Sequence, residues 1–246
     1  MLELIRQRNR RPRRTVIYGV HGVGKTTWAA KWPSPVFIMT EDGAGDVDCV
    51  RTPLCTSYNM VREYVKQLTD AEEFKTLVLD SADWLERLIW DAVCMEDGKQ
   101  DITSFGYGKG YERAGEELAS FLRLLSSAHD KGKHIVLIAH AVIKRFANPE
   151  GEEYDRYQPK LHQKAGDMLQ EWADEVLFAS FESMVKRTKT KGGDDRAVAI
   201  GSDKRWLYCN HRPARAAKNR LGIVEERLEF GDYLKRVAEY YKEQQK

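Results

Sequence analysis

Residues 15–27 read TVIYGVHGVGKTT, a short apolar, β-branched run that enters Gly19-Val20-His21-Gly22-Val23-Gly24-Lys25-Thr26. This is G-x-x-x-x-G-K-[ST] in full, the P-loop. Average residue usage produces such a match by chance in about one chain of this length in a hundred. Its context also fits, with a strand before it and a helix after. Glycine lets backbone N–H groups converge on phosphate oxygens where a Cβ would collide. The expected cradle is Gly19, His21, Gly22, Val23, Gly24, Lys25, Thr26 and Thr27. Lys25 is expected to reach the β- and γ-phosphates, and the Thr26 hydroxyl to hold Mg²⁺. The helix that begins here turns its positive end toward the same phosphates. The alternative is a Gly-rich strand-to-helix turn that binds nothing.

What surrounds this motif is a chain of 246 residues with 42% apolar and 32% charged residues. That length buries one sizeable core, and the composition is that of a soluble globular protein. No stretch approaches the ~18 apolar residues of a membrane span, and the N-terminus carries no apolar h-region. Membrane association is therefore not expected. Cys49, Cys55, Cys94 and Cys209 form no C-x-x-C pair, and read as reduced thiols of a cytoplasmic protein. The net charge of +2 does not by itself imply nucleic acid. Its distribution says more: residues 1–14 hold six arginines against Glu3. Such an arm either binds phosphate backbones or is a solvated tail.

Strands and helices alternate after the P-loop. The helix from Lys25 is expected to run to about residue 32, where Pro33-Ser34-Pro35 stops it. An apolar strand at 36–39 ends in Thr40-Glu41-Asp42-Gly43, placing an acidic pair on the ligand edge of a parallel sheet. A helix follows at 57–69. Then 76–81 reads TLVLDS, a buried-strand run ending in Asp80. That is the Walker B position, whose carboxylate supports the Mg²⁺ shell, with a helix N-cap as the alternative. Residues 96–110 are polar and Gly-rich and read as a mobile loop between two helices. A strand at 134–139 (HIVLIA) ends at His140. Residues 141–163 read as irregular, rich in charge and aromatics. A helix at 164–172 and a strand at 175–181 follow. A charged turn at 186–196 and strands at 197–201 and 205–209 read as antiparallel hairpins. Asp232 can cap a final helix. The fold class is α/β, with a mostly parallel sheet, helices on both faces and antiparallel strands at the C-terminal edge. Three segments are expected: a basic arm (1–14), an ATPase core (15–228) and a C-terminal helix (229–246).

The order of P-loop, strand ending in Thr-Glu-Asp, LVLDS, IVLIAH and a late Ala-Lys-Asn-Arg resembles the RecA/RadA recombinase core. It most closely resembles the short phage-encoded RecA-like ATPases that act as single-strand annealing proteins, over roughly residues 15–222. That resemblance implies ATP and Mg²⁺ as ligands. Glu41 matches the glutamate that activates the attacking water, chiefly by positioning it, since a carboxylate is a weak base at pH 7. His140 matches the polar residue that senses the γ-phosphate. The resemblance and fold analogy place its strand between the Walker A and Walker B strands. Lys218 and Arg220 match two cations that reach a neighbouring subunit's ATP as an arginine finger does. The site would then be completed in a homo-oligomer, a filament or ring. The segments 96–110 and 141–163 fall where such proteins place their DNA-binding loops. Lys99, Lys109, Lys144, Arg145, Arg156 and Lys160 would contact phosphates. Phe105, Tyr107, Phe146, Tyr154 and Tyr157 would stack on bases of single-stranded DNA. A single-stranded-DNA-binding protein is a further partner the resemblance implies, and the host cytoplasm is the compartment. The reduced N- and C-terminal segments fit annealing better than strand invasion.

Other readings stay open. A small-molecule P-loop kinase would use residues 141–163 as a lid, leaving the acidic turn and the Ala-Lys-Asn-Arg without a task. A nucleotide-gated interaction protein would bind ATP and barely turn it over. Helicase loaders and packaging motors share the core, but the short chain and the lack of a C-terminal helical lid count against an AAA+ assignment.

Overall fold

The computed structural model describes residues 11–189, 195–225 and 227–243. Arg6, Arg8 and Arg10 of the expected basic arm lie outside them. In chain order the strands are β1 (Arg14–Gly19), β2 (Pro35–Met39), β3 (Val50–Arg51), β4 (Thr76–Asp80), β5 (His134–Phe146), β6 (Tyr154–Pro159), β7 (Glu175–Lys189), β8 (Asp195–Tyr208) and β9 (Leu228–Glu229). The helices are α1 (Lys25–Ala29), α2 (Tyr58–Asp70), α3 (Ala82–Glu96), α4 (Lys109–Asp130), α5 (Gln163–Trp172) and α6 (Tyr233–Glu243). One sheet runs β3-β2-β4-β5-β1-β7-β8-β9, with β6 paired to β5. Its members from β3 to β7 are parallel, while β8 and β9 are antiparallel, as are β5 and β6.

The parallel strands read as near-continuous apolar runs because both faces are covered. One face carries Val16, Tyr18, Ile38, Leu77, Leu79, Leu137 and Phe178 under α2, α3, α4 and α5. The other carries Ile17, Phe37, Val78, Val136, Ile138 and Leu177, with Trp28 of α1 and Tyr233 and Val237 of α6. The pleat alternates these sets along each strand. β5 lies between β4 and β1, with Asp80 opposite Ile138 and Gly19 opposite His140. Three chemistry-bearing positions therefore end on one edge of the sheet.

Four expectations need correction. Residues 141–163 are not irregular: β5 runs on past His140 to Phe146 and pairs with β6. Val142, Lys144 and Phe146 are half-buried while Ile143 and Arg145 are exposed, so this ribbon obeys strand periodicity with charged and aromatic residues instead of aliphatic ones. The two strands expected at 197–201 and 205–209 are one strand, β8, whose ladder with β7 shifts register between Phe181 and Ser183. Within 96–110, α3 extends to Glu96 and a 3-10 turn at Ile102–Phe105 buries Ile102 before α4 begins at Lys109. Finally, Arg14 opens β1 and Arg13, whose carbonyl accepts from Ile135 of β5, leads into it, so neither belongs to an arm. Arg14 forms two hydrogen bonds to Asp174 through its guanidinium, and Arg13, 8% exposed, pairs with Glu175.

Candidate nucleotide site

The P-loop follows β1 directly. Gly19 ends that strand where a Cβ would stand 2.2 Å from the Ala179 carbonyl of β7, so no larger residue fits the sheet there. Gly24 takes φ +90°, the left-handed region that glycine enters without steric cost. Val23 is fully buried beneath the loop. Its side chain anchors the cradle, leaving its backbone as the group available to phosphate. The Lys25 ammonium donates to the carbonyls of Gly19 and Val20, both at 3.1 Å. Burial lowers its pKa, opposed by the nearby carboxylates of Asp80, Glu41 and Asp83.

Thr26 Oγ1 donates to Asp80 Oδ2 at 2.8 Å, joining the P-loop hydroxyl to the Walker B carboxylate. Asp80 is 3% exposed, and burial raises its pKa to about 6 against the Thr26 hydrogen bond. A threonine hydroxyl and a carboxylate are hard oxygen donors of the kind Mg²⁺ takes. These two would hold it, and the ion would neutralise charge on the β- and γ-phosphate oxygens. The Asp80 backbone carbonyl also accepts from Thr40 and Glu41, which fixes the acidic turn after β2 against β4.

Glu41 stands at that turn with two contacts. Its Oε2 accepts from Ser81 Oγ at 2.8 Å, and its Oε1 lies 3.8 Å from His140 Nε2. His140 Nδ1 lies 2.9 Å from Asp83 Oδ2, and its backbone N–H donates to Asp83 Oδ1 at 3.0 Å. Burial works to raise the Asp83 pKa, but the hydrogen bonds from the His140 ring and backbone outweigh it and hold the carboxyl below its ordinary value. The residues Glu41, His140 and Asp83 therefore form a chain in which Asp83 orients the imidazole that faces the glutamate. Sequence reasoning missed Asp83. The signal was there, in a carboxylate three residues after Asp80 in the first turn of α3, but it names no partner. His21, Gly22, Gly24, Lys25, Thr26, Thr27, Glu41, Gly43, Val47, Asp80, Ile138 and His140 line one open cleft. The structure thus gathers the P-loop, Glu41, Asp80 and His140 as expected.

A family model described as an AAA domain matches residues 11–221. The chain belongs to that AAA-domain family. No curated protein matches it. The family is one of P-loop NTPases, in accord with the cleft. Among the described residues, β9 and α6 are the elements that follow β8.

Lys218 and Arg220 of this AAA-domain protein are remote from its own cleft. Lys218 pairs across β7 with Val176 near the start of that strand. Its ammonium donates to the carbonyls of Gln170, Glu171 and Ala173, which closes the C-terminal end of α5 where a cation is favoured. Lys218 is thereby engaged within its own chain. Arg220 pairs with Asp174 at 2.9 Å but keeps its side chain 53% exposed, so of the two it is the one that faces outward.

The expected DNA contacts divide similarly. Lys99, Lys109 and Lys160 are exposed. Lys144 donates to the Leu161 carbonyl, pinning the end of the ribbon, and Arg145 pairs with Glu153 and Asp155. Arg156 lies over the Phe146 ring at 3.9 Å and donates to the Pro213 carbonyl. Phe105 and Tyr157 pack against the core, Tyr157 stacked on Phe178 at 4.8 Å, which removes them as base-stacking candidates. Tyr107 is fully exposed, and Phe146 and Tyr154 pack on each other at the ribbon. A basic segment the sequence reading did not single out joins them. The 211–216 loop pairs with β6, setting His211, Arg212 and Arg215 beside Arg156. Burial, then the charges of Arg156 and Arg212, lower the His211 pKa.

Proposed function

We propose that this AAA-domain P-loop NTPase hydrolyses ATP as an oligomer on single-stranded DNA, acting as a recombinase or annealing protein of the RecA-like kind. One observation carries the reading. The strand that ends its parallel course at His140, beside Glu41, continues without a break into the ribbon that holds Arg156, Phe146 and Tyr154 next to Arg212. Cations interleaved with rings are the composition of a surface that grips a phosphate backbone and stacks bases. A nucleotide-dependent shift of His140 is transmitted along one backbone to that surface. In the cleft, Glu41 positions the attacking water, Lys25 binds the phosphates, and Thr26 with Asp80 supports Mg²⁺.

The test is steady-state ATP hydrolysis against protein concentration, with and without single-stranded DNA. DNA stimulation with a more-than-linear dependence on protein supports sites completed between subunits on DNA. A linear rate indifferent to DNA removes both the nucleic-acid surface and the shared site.

A further inference from the structure

We infer that Arg205 is a second cation of the nucleotide site, reaching from β8 to the α-phosphate and nucleoside end of a nucleotide held by the P-loop. The inference rests on the P-loop cleft binding a nucleotide. Its basis is a contact at Gly24: Arg205 Nη1 stands 2.8 Å from where a Cβ on that glycine would sit, and the Phe230 ring 3.8 Å from the same point. The guanidinium also lies 5.9 Å from the Phe181 ring centroid. Phe181 is its cross-strand partner. Neighbouring cations on this sheet edge have acidic partners, Lys204 with Glu229 at 3.2 Å and Arg227 with Glu182 at 3.8 Å. Among the described residues Arg205 has none. A guanidinium set against the phosphate loop without a carboxylate is suited to an anion that arrives with the ligand.

The sheet order decides which part of the ligand it meets. Asp80, Glu41 and His140 approach the P-loop from β4, β2 and β5, all on one side of β1. They mark where the γ-phosphate lies. Arg205 approaches from β8, beyond β7 on the opposite side of β1. It therefore faces the end of the ligand that trails away from the γ-phosphate.

Calorimetric titration of the full chain with ATP, ADP and inorganic tripolyphosphate, each with Mg²⁺, tests this on wild type, Arg205→Ala, Arg205→Lys and Lys25→Ala. Arg205→Ala is expected to weaken ATP and ADP by the same factor, about tenfold for one charge-assisted contact. Tripolyphosphate, which places a phosphate at the α position, is weakened as well, and Arg205→Lys falls between. Unchanged ATP and ADP affinity in Arg205→Ala overturns the assignment while leaving the P-loop reading intact. So does tighter binding, which would make the guanidinium an obstruction, or a loss shown by ATP and tripolyphosphate but not ADP. Failure of wild type to bind any of the three overturns the P-loop reading itself. Arg205 is exposed, and an unchanged thermal midpoint in both variants confirms that the fold is intact.

Discussion

His21 stacks on His140, with ring centroids 4.2 Å apart and planes 27° from parallel. One ring belongs to the phosphate loop and the other to the end of β5, so the contact ties the cradle to the strand that feeds the ribbon. The His140 charge leads the effects that push the His21 pKa down, followed by burial and then Lys25. The pair resists double protonation. Asp83 holds the His140 ring from its far side, at 2.9 Å from Nδ1, so the stack on His21 is fixed in place.

Glu41→Gln keeps the size and the Ser81 contact but loses the carboxylate. Turnover should fall at least ~100-fold, the usual scale for a positioned base, while ATP affinity changes less than about threefold. Single-turnover hydrolysis beside equilibrium binding separates the two. Normal turnover would remove Glu41 from the chemistry.

Asp83→Asn retains an acceptor for the His140 backbone N–H but no longer holds the ring by charge. Turnover should drop about tenfold with little change in nucleotide affinity, and the nitrogen resonances of His140 should broaden as the ring loses its fixed orientation. A wild-type rate with unchanged His140 resonances would show that the glutamate is oriented by Ser81 alone.

Lys218 and Arg220 should separate. Lys218→Ala deprives three carbonyls at the end of α5 of their donor and should cost ~1–3 kcal/mol in denaturant unfolding. Arg220→Ala should be near neutral for stability but impair turnover, with recovery on mixing with Lys25→Ala subunits. Absence of recovery would assign Arg220 wholly to its pair with Asp174.

Much of this was legible in the chain. The P-loop is local and spelled out by glycines, and the aliphatic runs before Gly19 and Asp80 leave few options but buried parallel strands. The ribbon was not legible, because Lys144, Arg145 and Arg156 obscure an alternation that aliphatic residues would have displayed. Asp83, Arg205 and the 211–216 loop depend on partners 57, 181 and about 57 residues away, distances that no local pattern encodes. Lys218 was legible as a cation, but its three carbonyl acceptors belong to a helix end that only the fold brings to it.

Glu86 offers a check on the core instead of the cleft. Burial raises its pKa from 4.5 to about 7, against the hydrogen bond from the His162 backbone. A carboxyl raised in the folded state favours folding below its unfolded pKa, and that advantage is lost as pH rises through the folded one. Wild-type stability should therefore decline between about pH 4.5 and 7 from this group, by up to ~3 kcal/mol. Glu86→Gln, which mimics the protonated form, should be more stable than wild type at pH 8 and no different at pH 4.5. Parallel curves for the two proteins would show that Glu86 ionises normally.

Arg220 lies beside Asp174, which accepts from the Arg14 backbone at the start of β1, while the phosphate loop begins at the other end of that strand. Five residues of extended chain set the two about 16 Å apart, on opposite edges of the sheet. A two-fold dimer meets this only if the two copies lie antiparallel, each arginine reciprocally against the other's loop, which closes at two copies. An assembly of more copies, in which each arginine serves the next copy in turn, is instead built nose to tail. Such an assembly is polar: each added copy offers the same free end to the next, so an open array has a direction and a bound strand would be followed in one sense along it.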